Sequence, residues 1–267
     1  MPALIRVASA DDPRLAPYTQ LTDAEHRRAR EDAEGTFVVE GVTAIRRALV
    51  SPYAVRSLLV TPAKQAALAP DLATSAADVY VVDQDVMNAV AGFDLHRGAV
   101  AVASRRPFAD LVTVATRARR VAVLEGLNDH ENLGAVARSA AALGIEALVL
   151  DPTCADPFYR RCVRVSMGEV LHLDLARADP WPDRLGVLRD TGFTLVALTP
   201  DPSADAIDTV AASLAGQRIA VLLGAEGPGL SAPALALADH RARIPMRPGV
   251  DSLNVGHAAA IAFHVLR

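Results

Sequence analysis

The chain has 267 residues, 51% hydrophobic and 22% charged, which excludes a disordered protein and leaves room for one large globular domain or two modest ones. Its formal net charge of −4 gives no general basic field for nucleic acid or an anionic membrane; divided near residue 106, the chain carries 12 Lys and Arg against 13 Asp and Glu, then 15 against 18. No stretch approaches the ~18 apolar residues of a membrane span and the N-terminus carries no secretion signal, so a cytoplasmic protein without a membrane partner is expected.

Aromatic residues make up only 4% of the chain, so its core is expected to be small and branched aliphatics that let helices approach closely. Lys64 is the only Lys. Arginines cluster at Arg27, Arg28 and Arg30, at Arg46 and Arg47, at Arg105 and Arg106, at Arg117, Arg119 and Arg120, and at Arg160, Arg161 and Arg164. Each cluster reads either as a solvated face or helix end, or as a phosphate contact, to which Arg is better suited than Lys. Cys154 and Cys162 lack the paired spacing of a zinc site, so both are expected as reduced thiols, with no metal.

In chain order, residues 1–20 read as an irregular, mobile arm, followed by a short polar helix opened by a Thr22 cap with Glu25 three residues on. An alternating series follows: strand at 36–39, helix at 42–50, strand at 55–60, helix at 62–68, strand at 78–82, helix at 84–90 and strand at 98–104. Residues 21–106 thus form a small α/β domain, with a boundary at Arg105-Arg106-Pro107. Over 107–267 strands are expected at 121–124, 147–150, 194–198, 218–223 and 241–244, and helices at 133–143, 158–165, 183–191, 233–238 and 253–266. Apolar strands alternating with helices argue for a parallel sheet covered on both faces, with ligands at the carboxyl ends of its strands.

Three strand ends carry unusual chemistry. After the strand at 121–124, a polar loop leads into a helix of small residues bearing one charge, Arg138; that guanidinium either pairs with Glu125 or Glu226 or faces a polar cleft. Leu223-Gly-Ala-Glu226-Gly-Pro-Gly-Leu-Ser231 sets glycines around one carboxylate, where backbone amides can approach a ligand, although the dinucleotide fingerprint spacing is absent. Ile244-Pro-Met through Ser252-Leu-Asn254-Val leads into an Ala-rich final helix that Ser252 either caps or leaves for other work, with Asn254 in its first turn. Asp251 and His257 read as structural.

In this order and spacing, Asn132-Leu-Gly-Ala-Val-Ala-Arg138-Ser, Leu223–Ser231 and the segment from Ile244 resemble the three signature motifs of the SpoU-type, or TrmH-like, branch of the SPOUT RNA methyltransferases. The resemblance covers roughly residues 120–267. Phe37-Val-Val-Glu40-Gly41 and His96-Arg97-Gly98-Ala-Val-Ala more loosely resemble the small α/β substrate-binding domain, related to ribosomal RNA-binding proteins, that often precedes it.

The resemblance implies a parallel sheet with a deep trefoil knot, a homodimer whose active site is completed across the subunit interface, and S-adenosylmethionine as cofactor. Its binding residues would be Thr199, Pro200, Gly224, Ala225, Glu226, Gly229, Ile244, Met246, Ser252 and Leu253. The implied reaction methylates a ribose 2′-hydroxyl of structured ribosomal or transfer RNA, with no DNA partner. Arg138 would polarise that hydroxyl or bind its phosphate, Asn132 would orient Arg138 or the ribose, Glu226 would hold the network, and Ser252 and Asn254 would line the reacting centre. Gly256 departs from the pattern, which often has a small hydroxyl residue there. A resistance methyltransferase acting on large-subunit ribosomal RNA and a non-catalytic knotted RNA-binding protein remain as alternatives.

Overall fold

The computed structural model describes residues 3–96 and 98–267, so Arg97 of the second resemblance lies outside the described residues. Two compact units result: the first contains the described residues up to Arg106 together with Phe158–His172, and the second contains Pro107–Pro157 and Leu173–Arg267.

The first unit runs β1 (Leu4–Arg6), α1 (Ala24–Glu34), β2 (Thr36–Glu40), α2 (Val42–Leu49), β3 (Val55–Val60), α3 (Pro62–Leu72), β4 (Asp78–Val81), α4 (Gln84–Ala91) and β5 (Ala99–Ser104). Its sheet has the order β1-β4-β3-β5-β2, with β1, β4 and β3 mutually parallel and β5 antiparallel to both neighbours. The segment expected as an irregular arm therefore contributes an edge strand, Leu4–Arg6 pairing with Val79–Val81, and Leu15 and Tyr18 from a 3-10 turn are fully buried. The cap of α1 falls on Asp23, not Thr22: the Asp23 carboxylate accepts from the His26 backbone N–H at 3.0 Å.

Phe158–His172 joins this unit because its side chains complete it. Phe158 stacks in an aromatic trio with Phe37 and Tyr53, at centroid distances of 5.1 and 5.2 Å. Arg160 pairs with buried Glu40 at 2.8 Å, and Arg47 with Glu169 at 2.7 Å. Without Phe158 and Arg160 the unit would leave apolar surface and a buried carboxylate uncovered, which explains why a segment expected in the C-terminal domain groups with the first.

The second unit runs α5 (Leu111–Arg117), β6 (Arg120–Glu125), α6 (His130–Ala142) and β7 (Ala147–Leu150). After α7 (Arg160–Val165), which lies in the first unit, come β8 (Asp174–Arg177), α8 (Gly186–Asp190), β9 (Phe193–Leu198), β10 (Asp205–Ala206) and α9 (Ile207–Ser213). The chain closes with β11 (Arg218–Gly224), α10 (Ala232–Leu237), β12 (His240–Arg243) and α11 (Val255–Val265). All seven strands are parallel, in the order β10-β12-β9-β11-β6-β7-β8. Val121, Val123, Leu195, Ala220 and Leu222 are buried on the central strands, as near-continuous apolar runs require. Two late strands enter gaps between earlier ones: β11 lies between β6 and β9, and β12 between β9 and β10.

Cys154 and Cys162 are not joined in a disulfide. Burial, reinforced by the Asp151 carboxylate, pushes the Cys154 thiol up to about 12, so it is inert as a nucleophile near neutral pH.

Candidate active site

Three neighbouring parallel strands end side by side, β12, β9 and β11, and the loops that follow them enclose one cavity of about 630 Å³. Leu198, Thr199 and Pro200 come from the end of β9, Leu223–Gly227 and Gly229 from β11, and Ile244, Met246 and Asp251–Val255 from the stretch after β12. All ten residues expected to hold a cofactor line this cavity. Leu198, Leu223, Gly227, Val255 and Ala258, not named among the expected cofactor residues, also line it. Leu223, Gly227 and Val255 lie within the motifs, whereas Leu198 and Ala258 have no signal beyond adjacency to an expected strand end or to the third motif.

The loop after β11 folds back onto the strand it leaves. Ala225 and Gly229 form an antiparallel bridge, the Gly229 N–H donating to the Ala225 carbonyl at 3.0 Å. The return is so tight that a Cβ on Gly224 would lie 2.1 Å from the Gly229 carbonyl carbon and 2.3 Å from the Leu230 nitrogen. Only glycine fits there. The exit of the loop is tied to β6: Glu125, nearly buried, accepts from the Ser231 N–H at 2.8 Å and from the Trp181 indole N–H at 2.6 Å.

Asn254 organises the mouth of the cavity. Its side-chain oxygen accepts from the Gly256 N–H at 2.9 Å and so caps α11, while its amide nitrogen donates to Asn132 and to Glu226, each at 2.8 Å. The cap is thus Asn254 rather than Ser252, and Ser252 stands exposed on the cavity wall. With its carbonyl oxygen engaged by Asn254, Asn132 keeps its two N–H donors without an acceptor among the described residues. Asn132, Glu226 and Asn254, drawn from three separate motifs, form one hydrogen-bonded group.

Arg138 stands apart. It is exposed, makes no hydrogen bond or ion pair among the described residues and does not line the cavity. Glu125 is engaged by Trp181 and Ser231, and Glu226 by Asn254, so the internal ion pair considered for Arg138 does not form. On α6 it lies six residues, or ~9 Å along the axis, from Asn132. Asp251 lines the cavity, whereas His257 does not. Gly256 departs from the motif pattern for a steric reason: α11 packs along α6 so closely that a Cβ there would approach the Ala135 Cβ to 2.9 Å.

Most clustered arginines are held by internal acceptors. Arg27 is buried and donates to the Leu21 carbonyl, Arg30 to those of Ala16 and Thr19, Arg105 to Thr36 and Arg119 to Gly216, while Arg120 bonds the Leu266 carbonyl and Arg46 pairs with Asp71. In the first unit, Lys64 and Arg164 line a separate cavity of about 220 Å³ beside Gly41 and Thr43, and neither side chain has a partner among the described residues. Among those residues, no group of three or more His, Cys, Asp or Glu is placed to hold a metal, and no helix is long and apolar enough to cross a membrane.

The family model for SpoU rRNA methylases matches residues 119–264, more than half of the chain and all three strand-end segments. The chain belongs to the SpoU rRNA methylase family. It is an RNA 2′-O-ribose methyltransferase whose cofactor is S-adenosylmethionine. A model for an MRM3-like substrate binding domain matches residues 19–101. An uncharacterized tRNA/rRNA methyltransferase of Mycobacterium tuberculosis is 46% identical over 97% of this chain and 90% of its own. The 23S rRNA (guanosine(2553)-2′-O)-methyltransferase RlmP of Bacillus subtilis is 27% identical over 98% and 99%. The SpoU methyltransferase AviRb of Streptomyces viridochromogenes, solved in complex with S-adenosylmethionine, is 26% identical over 96% and 97%, with a TM-score of 0.75.

The cavity fits this family's cofactor. Its volume falls in the ~300–1,000 Å³ range of small-molecule sites. Its walls combine apolar side chains such as Leu198, Ile244 and Leu253 with the glycine-lined turn at Gly224–Gly229, where backbone groups are accessible.

Proposed function

We propose that this SpoU methylase is a homodimer that methylates a ribose 2′-hydroxyl in structured ribosomal or transfer RNA, with large-subunit ribosomal RNA the favoured substrate. The observation that carries the proposal is the Asn132–Asn254–Glu226 group at the mouth of the cavity formed after β9, β11 and β12. The preference for large-subunit RNA rests on RlmP, which matches this chain along nearly its whole length. The same intact group speaks against a non-catalytic RNA-binding protein.

S-adenosylmethionine, held by the residues that line the cavity, supplies an electrophilic methyl group on a sulfonium. The protein's task is to deliver and polarise the hydroxyl, a poor nucleophile while it keeps its proton. The unused N–H donors of Asn132 orient the ribose. The Arg138 side chain presents a planar fork of N–H donors and no acceptor, so it polarises the hydroxyl or holds the neighbouring phosphate rather than removing a proton itself. Because Arg138 is exposed and outside the cavity of its own chain, the Arg138 that serves a given cavity is assigned to the second copy. α11 and α6 would supply the facing surface. We further infer that the insertion of β11 and β12 between earlier strands reflects a C-terminal segment threaded as a trefoil knot.

The net charge of −4 means that RNA must be gripped locally. Lys64 and Arg164, cations without a partner among the described residues beside the Gly41 turn, are the assigned phosphate contacts of the substrate-binding unit. Purified protein incubated with labelled S-adenosylmethionine and, separately, unmodified 23S, 16S and transfer RNA transcripts is expected to label 23S RNA above the others. Transfer RNA labelling alone would reverse the substrate preference. A protein that binds the cofactor and labels none of the three would contradict the proposed substrate class.

A further inference from the structure

The cavity loop is anchored at two places, and only one of them belongs to the three motifs. Inside the loop, Glu226 accepts from Asn254. At its exit, the Ser231 N–H donates to Glu125 Oε2 at 2.8 Å, and the other oxygen of that carboxylate accepts from the Trp181 indole N–H at 2.6 Å. Glu125 ends β6, is only 9% exposed and does not line the cavity. It therefore acts on the cavity only through the loop.

From this juxtaposition we propose that Glu125 is a positioning residue for S-adenosylmethionine binding: its carboxylate fixes the exit of the Gly224–Leu230 loop and links it to Trp181. The inference rests on the assignment of this cavity to the cofactor. Its physical basis is the tightness of the turn. Gly224 and Gly229 approach so closely that the loop has one compact arrangement, and the Ser231 anchor determines where Leu230, itself buried, and the preceding glycines lie. Both donors facing Glu125 are N–H groups, so both of its oxygens must accept. A glutamine of the same shape offers one oxygen and one amino group, leaving one donor facing another donor in a nearly dry site.

Trp181 is the only tryptophan of the chain, so selectively excited tryptophan emission reports on this linkage. Titration of S-adenosylmethionine into the full-length protein is expected to shift Trp181 emission in the wild type. Glu125→Gln is expected to raise the Kd for the cofactor by ~10-fold or more and to abolish the emission shift. Its kcat at saturating cofactor should stay within about threefold and its KM for RNA unchanged, because the group at Asn254 is untouched. Trp181→Phe, which removes the indole donor but keeps the Ser231 contact, should bind cofactor within about twofold of the wild type.

Wild-type affinity in Glu125→Gln would overturn the proposal. So would equal weakening by Glu125→Gln and Trp181→Phe in step with lost thermal stability, which marks a purely structural residue. Should Glu125→Gln not fold, Ser231→Pro removes the same N–H at a φ of −66° that proline accepts, and the same loss of affinity is expected. Normal affinity in Ser231→Pro, or failure of both variants to fold, overturns the proposal. A wild type that does not bind S-adenosylmethionine would instead sink the cofactor assignment, a distinguishable result.

Discussion

Arg138→Ala is expected to lower methyl transfer to RNA by about 100-fold or more while leaving S-adenosylmethionine affinity unchanged, by analogy with the removal of one preorganised donor from other active sites. Cofactor affinity should survive because Arg138 does not line the cavity and has no partner among the described residues. Its removal leaves no buried group unsatisfied, so thermal stability should be unaffected. Arg138→Lys should recover only part of the activity, since it restores the charge without the donor fork.

The assignment of Arg138 to the facing subunit adds a sharper expectation. Arg138→Ala and Asn254→Ala proteins should each be inactive, yet a mixture that has exchanged subunits should regain about one quarter of wild-type activity. Half of the dimers are then mixed, and each mixed dimer rebuilds one of its two sites. A site built within one chain would show no recovery. Size-exclusion chromatography with light scattering on the separate variants must report a dimer for either result to be interpreted.

Gly224→Ala is expected to raise the Kd for S-adenosylmethionine by about 100-fold, or ~2.8 kcal/mol, at the upper end of the usual cost of overpacking. The added Cβ would lie 2.1 Å from the Gly229 carbonyl carbon and 2.4 Å from its oxygen, and these are backbone atoms that cannot rotate away. The loop must lift, breaking the Ala225–Gly229 bridge and moving Glu226 away from Asn254. Thermal stability should fall as well, by ~1–3 kcal/mol, the usual cost of overpacking. Calorimetric titration separates the effects: normal cofactor affinity in a destabilised variant would mean that this loop is not a wall of the cofactor site.

Much of the second unit was legible because its chemistry is local. The runs Val121–Leu124 and Ala147–Leu150 are apolar throughout, and a strand buried on both faces needs nothing more. The ten residues expected to hold the cofactor could be named in advance because the segments that carry them resemble the SpoU-type signature motifs, and all ten lie in loops that follow strand ends, where parallel sheets leave their ligand crevice. Features that depend on long-range partners were not legible. Leu4–Arg6 becomes a strand only through its register with β4, and its three residues carry no periodic signal. Phe158 looked like the start of a helix in the C-terminal domain, but its ring is claimed by Phe37 and Tyr53 more than 100 positions away.

The caps show how closely matched local choices are decided. Thr22 and Asp23 are capping residues one position apart, and Ser252 and Asn254 are capping residues two positions apart around Leu253. Asn254 prevails because its oxygen caps α11 while its nitrogen bonds Asn132 and Glu226, which a serine hydroxyl could not do at once. β10, two residues long, falls below the length at which periodicity distinguishes structure from loop.

We propose that one methyl group passes to a ribose oxygen of RNA at a site organised by Asn132, Glu226 and Asn254. The most direct measurement is complete nucleoside digestion of RNA labelled by the purified enzyme from S-adenosylmethionine, followed by chromatography with mass detection. The label is predicted in a single 2′-O-methylnucleoside, absent with Asn254→Ala. Label carried by a methylated base, with the ribose unmodified, would contradict ribose methylation at this site.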